Sequence, residues 1–458
     1  MKTSRVLAAA VAGVLVVGLA ACSSSKKKAE DKKPGNVTLS VVSLKPGSEK
    51  AAFDTFNAQV KQFELQNPTI KLQPKEYEWK ATTFAAQLAG GTLPTVFTIP
   101  FTDGKGLIER QQVANLNKQF QALSYANGFN PKVVDAGKGA NGDIYGIPTA
   151  AYGVGLQYNR TLFKQAGLDP DKPPTTWDEV RTDAKQIADK TGQAGYAEMT
   201  QNATGGWMLT TLTYALGGRM ETVSGTKTTA TVNNPQTKAA LQKLHDMRWT
   251  DKAMGSNFLY DWGSINQAFA AGKIGMYMGG SDVYTSLVQQ NKINPDDYGL
   301  ATLPLDSSSS DAGILGGGTL AVVSTKASDA QKDAAMKWID FYYMRKLTTQ
   351  DGAALDAKTL AAGKQPVGTP ALPIFNKDLL DKYNGWIASY VNVPLKQMTS
   401  FTTGVFSQTL VPEPATHTQE LYTALDPVVQ AVLTNKNANI DSLLDKANGD
   451  IQNVLDRG

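Results

Sequence analysis

The chain has 458 residues, enough for two or three domains, and its 41% hydrophobic and 19% charged content is globular, which excludes disordered and collagen-like chains. One Cys excludes an internal disulfide and a Cys-based zinc site, and two His leave little for a metal centre, so we expect no metal ion and no cofactor. The net charge of +4 becomes +2 without Lys2 and Arg5, which belong to the leader, and so balanced a surface argues against nucleic acid as a partner.

Residues 1–21 have the composition of a secretory signal peptide. Lys2 and Arg5 precede an uninterrupted run of apolar or glycine residues, Val6 to Ala21, which is shorter than the roughly 20 residues that span a bilayer. The run ends in Leu19-Ala20-Ala21-Cys22, which resembles the cleavage box of bacterial lipoproteins. We therefore expect Cys22 to become the lipid-carrying first residue of the mature protein. A signal peptide with an incidental cysteine is the alternative.

The next segment, residues 22–35, is predicted to be a flexible tether. Ser23 to Gly35 contain no large apolar side chain, so this stretch cannot bury enough surface to become ordered. Its lysines are expected to lie near anionic lipid headgroups. We expect the folded body to be tethered by the lipid to the extracytoplasmic face of the cell membrane.

The first part of the folded body predicts alternating strands and helices. Strands are expected at 37–44, 70–77 and 94–100, and helices at 48–66 and 81–89. This alternation implies right-handed crossovers and a mainly parallel sheet with helices on both faces. Ligands bind such sheets beyond the carboxyl ends of the strands, which 43–49 and 101–105 occupy.

A second α/β unit is expected to begin near Tyr152. Thr176 is predicted to cap a helix over 177–190, with Glu179 as its capping-box partner. Further elements are expected at 154–158, 234–249, 262–271, 274–278 and 298–305, then a polar linker at 307–310, a strand at 319–324 opened by Gly316–Gly318, and a helix at 328–345. The remaining residues are predicted to be mainly helical, with proline-rich breaks at 369–373 and 411–414.

Common catalytic and nucleotide-binding motifs are absent from the sequence. It has no G-x-G-x-x-G after a strand, no phosphate-binding P-loop, no G-x-S-x-G nucleophile elbow and no H-E-x-x-H. Acidic residues are plentiful, however, so composition leaves a glycosidase carboxylate pair open.

Several short motifs follow one another along most of the chain. In chain order they are DIYGIP at 143–148, LQYNR at 156–160, Phe163 with AGL at 166–168, PTTWDE at 174–179, AFAAGKIGM at 268–276 with GG at 279–280, YGL at 298–300 with LP at 303–304, and GGG at 316–318. Each motif alone is weak. Together, their order and spacing resemble the extracellular solute-binding proteins of ABC importers, in particular the sugar-binding group that includes maltose-binding proteins.

The resemblance implies a fold, a function and partners. The fold is α/β and resembles periplasmic binding proteins, with two lobes, each a mainly parallel sheet flanked by helices, and a hinge of crossing strands. The first lobe would comprise 36–150 and 312–365, and the second 151–311 together with the C-terminal helices of 366–458. A monomer would bind a mono- or oligosaccharide in the cleft, perform no chemistry, and deliver the ligand to the permease subunits in the membrane.

Three ligand-binding candidates come from the resemblance combined with sugar chemistry. A sugar needs aromatic surfaces against its C–H faces and carboxylates or amides around its hydroxyls. Trp207 matches a sugar-stacking aromatic of relatives, and a core position is its alternative. Tyr152 lies at the first lobe crossing, where hinge packing is the alternative. Asp103 follows the third strand, where relatives place a charged contact, although an Asp near a helix N-terminus is equally expected for stability.

Further candidates rest on position. Asp282 stands where relatives frequently have Trp, which indicates a more polar contact and argues against a maltodextrin ligand. Trp262 starts a predicted helix near the expected cleft, with packing as the alternative. Gly317, in the middle of three glycines, would let the backbone approach a ligand or the hinge closely. Ser48 and Glu49 lie in the loop after the first strand.

Four other Trp and His residues are weaker candidates for ligand binding. Trp177 and Trp338 lie in helical patterns and are predicted to be structural. Trp386 and His417 lie in the C-terminal segment, which reaches the cleft in relatives.

Two alternatives for the function stay open. A binding lipoprotein of the same fold could carry a different solute, such as a polyol, a glycerophosphodiester or a peptide. A secreted glycan hydrolase or lyase would need an acid and a base that face each other across the substrate.

We predict that Cys22→Ala releases the protein from membranes and leaves the fold intact, because the sequence after residue 22 contains no apolar stretch that could anchor it. Fractionation of cells after a salt wash, which removes adhesion through the lysines, measures this. A variant that still sediments wholly with membranes contradicts the lipid anchor.

Overall fold

The computed structural model describes residues 36–44, 46–47, 50–79, 81–224 and 227–457. The predicted signal peptide, Cys22 and the tether lie outside these residues, as do Ser48 and Glu49. From Val37 onward the chain forms one unit. Within the described residues, no helix combines the length and the apolar character needed to cross a membrane.

In the described part of the chain the strands are β1 (Val37–Val42), β2 (Ile70–Lys75), β3 (Val96–Pro100), β4 (Gly146–Asn159), β5 (Ala194–Tyr196), β6 (Glu221–Ser224), β7 (Lys227–Ala230), β8 (Ile274–Gly280), β9 (Tyr298–Thr302), β10 (Ile314–Val323) and β11 (Leu410–Pro412). The strands expected at 37–44, 70–77, 94–100, 154–158 and 319–324 each coincide with an observed strand, whereas β5, β6, β7 and β11 were not predicted.

The helices begin mostly at Ser, Thr, Asn or Asp caps. Thr176 accepts the Glu179 N–H at 3.1 Å and the Glu179 carboxylate accepts the Thr176 N–H at 3.2 Å, which confirms the predicted capping box. The helices are α1 (Lys50–Gln66), α2 (Ala81–Gly90), α3 (Phe101–Glu109), α4 (Asn117–Gln121), α5 (Pro131–Val134), α6 (Arg160–Ala166), α7 (Trp177–Thr191), α8 (Thr204–Ala215), α9 (Pro235–His245), α10 (Trp262–Ala270), α11 (Tyr284–Gln289), α12 (Asp329–Ile339), α13 (Arg345–Thr348), α14 (Gln350–Ala362), α15 (Lys377–Ile387), α16 (Thr399–Gly404), α17 (Thr418–Thr434) and α18 (Ile440–Leu455). Single π-helical turns, Asp246–Thr250 and Asp340–Met344, extend α9 and α12.

The main sheet is mixed, and β4 runs through its centre. The strand order is β2–β1–β3–β10–β4–β8–β5, with β11 beside β10 and β9 beside β4. Pairs are parallel in β2–β1–β3 and in β8–β5, and antiparallel where β10 meets β3 and β4 and where β4 meets β8 and β9. We call the half built on β1, β2 and β3 the first lobe, and the half built on β5, β8 and β9 the second lobe. This architecture confirms the predicted two-lobed α/β fold.

The three glycines 316–318 lie inside β10, whereas the sequence predicted that the strand would start after them. They pair in antiparallel register with Gly153, Tyr152 and Ala151 of β4. Glycine is disfavoured in strands because it gains little from packing there. Pairing on both edges of β10 overrides this local preference, and the strand begins at Ile314.

Aromatic side chains fill the cores of both lobes. Trp338 of α12 is fully buried, with its ring centroid 6.1 Å from that of Phe56 and 5.3 Å from that of Phe63 on α1. Trp177 of α7 is 6% exposed and donates its indole N–H to the Pro304 carbonyl at 2.9 Å. Both tryptophans are therefore structural, as predicted.

The C-terminal segment contacts both lobes. The ring of Phe375 packs 4.6 Å from that of Phe129, and the Ile374 carbonyl accepts the Asn130 N–H at 2.9 Å, so the start of this segment lies on the first lobe. From α16, which packs on β9, the helices complete the second lobe. Elsewhere in the segment, the Thr369 hydroxyl is 3.3 Å from that of Thr285 in α11, and the Gln397 carbonyl accepts the Tyr158 hydroxyl at 3.4 Å, so the segment alternates between the lobes. The lobe boundaries, including the one at 366, stay predictions.

A buried carboxyl group follows β5 in the second lobe. Glu198 is 3% exposed, accepts the Tyr196 hydroxyl at 2.9 Å, and also accepts the Met199 N–H at 3.0 Å. Desolvation raises the pKa of Glu198 to about 8, against the lowering effect of these two hydrogen bonds. The folded protein therefore holds a proton that the unfolded chain, with a pKa near 4.5, releases.

We predict that this group makes stability fall as the pH rises. Its contribution is fully present below pH 4.5 and is lost as the pH rises through about 8. Glu198→Gln removes the charge and keeps one hydrogen bond to each partner, because the amide oxygen accepts the Met199 N–H and the amide nitrogen donates to the Tyr196 hydroxyl oxygen. Thermal unfolding should therefore show similar stability of variant and wild type at pH 5, and a variant more stable by about 1 kcal/mol or more at pH 8. Equal stability at both pH values would show that Glu198 is ionised at little cost.

Candidate ligand-binding cleft

The centre of the candidate site is the crossing of β4 and β10. Tyr152 and Gly317 are directly opposed in this antiparallel pair. A Cβ atom on Gly317 would overlap the Tyr152 hydroxyl and lie 3.1 Å from Oε2 of Glu413. A glycine is therefore required here, and its absence of a side chain lets the phenol and the Glu413 carboxylate lie over the hinge backbone.

Trp207 lies beside Tyr152, as the candidate assignment anticipated. The two rings meet edge to face, with centroids 6.1 Å apart at an interplanar angle of 87°. Trp207 is in the first turn of α8 and is partly exposed, while its indole N–H is buried and has no hydrogen-bond partner among the described residues. The ring pair therefore presents apolar surface together with an unused donor.

The amino end of α8 is held by α17. The Asp426 carboxylate accepts the N–H groups of Ala203 and Gly206 at 2.7 and 3.0 Å. A side chain at Gly206 would overlap the backbone of Tyr422, so the two helices are in close contact. These contacts fix the orientation of Trp207. They also place a carboxylate on the positive end of the helix dipole, which is then less available to an anionic ligand.

Asp282 lies two residues after β8 and close to Tyr152. A Cβ atom on Gly280 would lie 2.6 Å from Oδ1 of Asp282 and 3.6 Å from the Tyr152 ring. The Asp282 side chain reaches solvent, yet the protein atoms around it reduce its hydration and raise its pKa. Where relatives were expected to present Trp, this chain presents an acidic group.

Glu413 was missed by the sequence analysis. It follows β11, in the segment that was interpreted only as a proline-rich break, and its Oε1 accepts the Tyr422 hydroxyl at 3.2 Å. Desolvation raises its pKa to about 7, the Tyr422 hydrogen bond lowers it, and the charge of Asp103 raises it further. A lone Glu between Pro412 and Pro414 was the available signal, since prolines there stop a helix and fix the carboxylate in a loop.

Asp103 is the member of the candidate site that belongs to the first lobe. It lies in the first turn of α3, and its Oδ2 is buried without a hydrogen-bond partner in the described residues. Desolvation raises its pKa to about 6, Trp79 and Arg110 lower it, and Glu420 raises it. Since the charge of Asp103 raises the pKa of Glu413 and that of Glu420 raises the pKa of Asp103, the acidic groups of the first lobe and of the C-terminal segment lie within electrostatic range.

Trp262, Trp386 and His417 lie outside the group around Tyr152. Trp262 is 40% exposed at the start of α10, and the preceding Asp261 accepts a hydrogen bond from Asn202 at 3.0 Å, in the loop before α8. Trp386 packs into a separate small hydrophobic cluster with α14. His417 precedes α17 with a left-handed backbone and lies 3.6 Å from Glu420.

The arrangement suits polar ligands with hydroxyl groups. In the described residues, no Lys or Arg forms an ion pair with Asp103, Asp282 or Glu413, and no cluster of His, Cys, Asp and Glu fits a metal ion. The carboxylates therefore accept hydrogen bonds, while the Tyr152 and Trp207 rings offer stacking surfaces. That Tyr152, Trp207, Asp103, Asp282 and Gly317 bind ligand remains a prediction, and the structure places these five together.

Comparison with known proteins identifies a family of bacterial solute-binding proteins that resemble this chain. A family model described as bacterial extracellular solute-binding protein matches residues 51–362. The sn-glycerol-3-phosphate-binding periplasmic protein UgpB of Yersinia enterocolitica is 30% identical over 192 residues, which are 39% of this chain and 40% of that protein. The match thus spans less than half the length of this relative.

Solved structures share the fold over nearly the whole chain. The cyclic alpha-maltosyl-1,6-maltose binding protein of Arthrobacter globiformis has a TM-score of 0.70 at 23% identity, covering 93% of this chain and 100% of that one. UgpB of Mycobacterium tuberculosis, solved with glycerophosphocholine, has a TM-score of 0.69 at 18% identity, covering 92% and 99%. At such identities the likeness establishes the fold and leaves the ligand open. Together with the family match over 51–362, it shows that the chain belongs to the bacterial extracellular solute-binding proteins.

Proposed function

We propose that this protein is the substrate-binding subunit of an ABC importer for a neutral carbohydrate. The observation that carries the proposal is the Tyr152–Trp207 ring pair at the lobe crossing, bordered by Asp282, Glu413 and Asp103. The rings stack on the C–H faces of a sugar, and the carboxylates accept hydrogen bonds from its hydroxyls. Closure of the lobes about the β4–β10 crossing sequesters the ligand.

The proposal includes the location and the partners of the protein. It acts as a monomer, anchored through Cys22 at the extracytoplasmic membrane face, and hands its ligand to the transmembrane permease subunits. The ATPase of the importer performs the chemistry, and this chain returns its ligand unchanged. Membership of a solute-binding family supports this division of labour.

A glycerophosphodiester is the second candidate, since one UgpB relative was solved with glycerophosphocholine and another is named for the related monoester sn-glycerol-3-phosphate. The charges of the cleft favour the carbohydrate. A phosphate group beside Asp103, Asp282 and Glu413 would meet three acidic groups, and Asp426 already occupies the amino end of α8. Arg219, a nearby cation, lies 5.2 Å over the Tyr214 ring and donates to two backbone carbonyls.

We predict that a neutral sugar raises the melting temperature and is recovered intact. A ligand of the folded state stabilises it by about 2.7 kcal/mol at a hundredfold excess over Kd. At roughly 2–4 °C for each kcal/mol, the shift should amount to several degrees. The panel comprises D-glucose, maltose, maltotriose, D-mannitol, sn-glycerol-3-phosphate and glycerophosphocholine, with chromatography of each ligand after long incubation. Larger shifts with the two phosphate compounds would favour the second candidate, and cleaved sugar in excess over protein would indicate an enzyme.

We predict that Trp207→Ala weakens sugar binding more than it destabilises the free protein, because the exposed ring face is used for stacking and contributes on the order of 1 kcal/mol beyond burial. Calorimetric titration and thermal unfolding measure the two effects. Trp386→Ala is the matched control: it removes a partly buried indole outside the cleft and should lower the melting temperature without changing affinity. Unchanged affinity in Trp207→Ala with a strongly lowered melting temperature would identify Trp207 as a core residue.

A further inference from the structure

A fully buried amide lies in the second lobe next to the end of β8. Gln157 of β4 is 0% exposed, and its Nε2 donates to the Gly279 and Gly280 carbonyls at 3.1 and 3.3 Å. Its Oε1 accepts the hydroxyl of Tyr298 at 2.5 Å. A buried amide costs free energy unless both of its ends are hydrogen-bonded, and here both ends are. Gln157 therefore joins the phenol of β9 to the last two carbonyls of β8.

The second of these carbonyls belongs to the turn that contains Asp282. The Val283 N–H donates to the Gly280 carbonyl at 3.2 Å, which closes a four-residue turn with Asp282 in its third position. We call residues Gly280–Val283 the Asp282 turn. Its Ser281 N–H donates to the Gly153 carbonyl of β4 at 3.0 Å. The turn is thus fixed to β4 by a backbone hydrogen bond and by the side chain of Gln157.

Tyr298 also holds the residue that follows the turn. It is fully buried in β9, and its ring centroid lies 4.9 Å from that of Tyr284, the first residue of α11. The hydroxyl of Tyr298 therefore acts through Gln157 on one end of the Asp282 turn, and its ring packs against the other end.

The position of the turn determines the position of the Asp282 carboxylate. That carboxylate accepts a hydrogen bond from its own backbone N–H, so its direction follows the local backbone. A Cβ atom on Gly280 would lie 2.6 Å from Oδ1 of Asp282 and 3.6 Å from the Tyr152 ring. A shift of the Gly280 backbone would therefore change the distance between the carboxylate and the phenol.

We infer that Gln157 and Tyr298 are positioning residues for ligand binding, because their buried hydrogen bond fixes the turn that holds Asp282 beside Tyr152. The inference rests on the proposed function, in which Asp282 accepts a hydrogen bond from a sugar hydroxyl. Both residues are fully buried, so they act on a ligand only through the turn. A carboxylate that is already held in place binds a hydroxyl without the entropic cost of ordering it first.

The first test compares two buried hydroxyl deletions in the full chain. Tyr298→Phe removes the hydroxyl and keeps the ring on Tyr284. Calorimetric titration should show binding of the sugar that the wild type takes up, among D-glucose, maltose, maltotriose and D-mannitol, weakened about fivefold.

Tyr277→Phe is the matched control. Tyr277 is 1% exposed in β8, and its hydroxyl donates to Oδ1 of Asn266 on α10 at 2.6 Å, away from the Asp282 turn. Each variant loses one buried hydrogen bond, so both should lower the melting temperature, while Tyr277→Phe should keep wild-type affinity. Equal losses of affinity in the two variants overturn the inference.

A paired variant separates positioning from stability. Gln157→Met combined with Tyr298→Phe replaces both partners by apolar side chains of similar size, so it should be more stable than Tyr298→Phe alone. It still lacks the bonds to the turn, and its sugar affinity should stay reduced. Wild-type affinity in this paired variant contradicts the positioning role.

A double-mutant cycle tests whether the effect passes through Asp282. Asp282→Ala should itself weaken binding, and Tyr298→Phe should have no further effect on affinity in the Asp282→Ala background. Wild-type affinity in Asp282→Ala, or losses that simply add, overturns the inference and leaves the proposed function standing.

Hydrogen exchange of the free protein tests the turn without any ligand. Peptides covering 279–289 should exchange faster in Tyr298→Phe than in the wild type, and at the wild-type rate in Tyr277→Phe. Sugar binding by the wild type together with unchanged exchange and affinity in Tyr298→Phe overturns only the inference. Binding of no panel sugar by the wild type overturns the proposed function and, with it, the role assigned to the two residues.

Discussion

The antiparallel contact between β4 and β10 is the constraint on which the rest of the structure depends. β4 is one continuous strand that pairs with β10 over its first half and with β8 and β9 over its second half. This one strand therefore takes part in the sheets of both lobes. Gly317 leaves room for the Tyr152 phenol above the crossing, and Glu413 approaches the same point. Because the candidate site and the strand crossing share these residues, a ligand bound at Tyr152 would act directly on the angle between the lobes.

Burial dominates the electrostatics of the candidate cleft. Desolvation raises the pKa of Asp103 to about 6 against the opposing effect of Arg110, and it raises the pKa of Glu413 to about 7, where the charge of Asp103 adds to the effect. In a closed cleft these carboxyl groups need hydrogen-bond donors. The hydroxyls of a sugar are such donors and bring no additional charge into the cleft. Similar perturbed carboxyls also occur in glycosidases, so the pKa values do not separate binding from catalysis, and the family membership is what supports binding.

Relatives with the same fold are named for different ligands, among them a cyclic maltosyl-maltose and glycerophosphocholine. The common fold therefore does not determine which ligand is bound. The side chains that line the cleft determine it. Asp282 in this chain puts a carboxylate beside Tyr152, and Asp426 caps the helix that carries Trp207. Both features give the cleft an acidic character.

The sequence alone determined the family, the alternation of strands and helices, and local features such as the capping box at Thr176, because these depend on contacts between residues close in the chain. Through the family resemblance, it also identified Tyr152, Trp207, Asp103 and Asp282 as candidates, because they stand at positions where relatives contact their ligands. Only the tertiary structure decided that these residues meet, that the three glycines form the interior of β10, and that residues near 375 pack on the first lobe. Glu413 and, next to Asp103, Trp79 were likewise found only in the tertiary structure. Each lies in a loop without periodicity, and its neighbours in space are distant in sequence. Their burial and lost hydration therefore depend on packing that no local sequence pattern indicates.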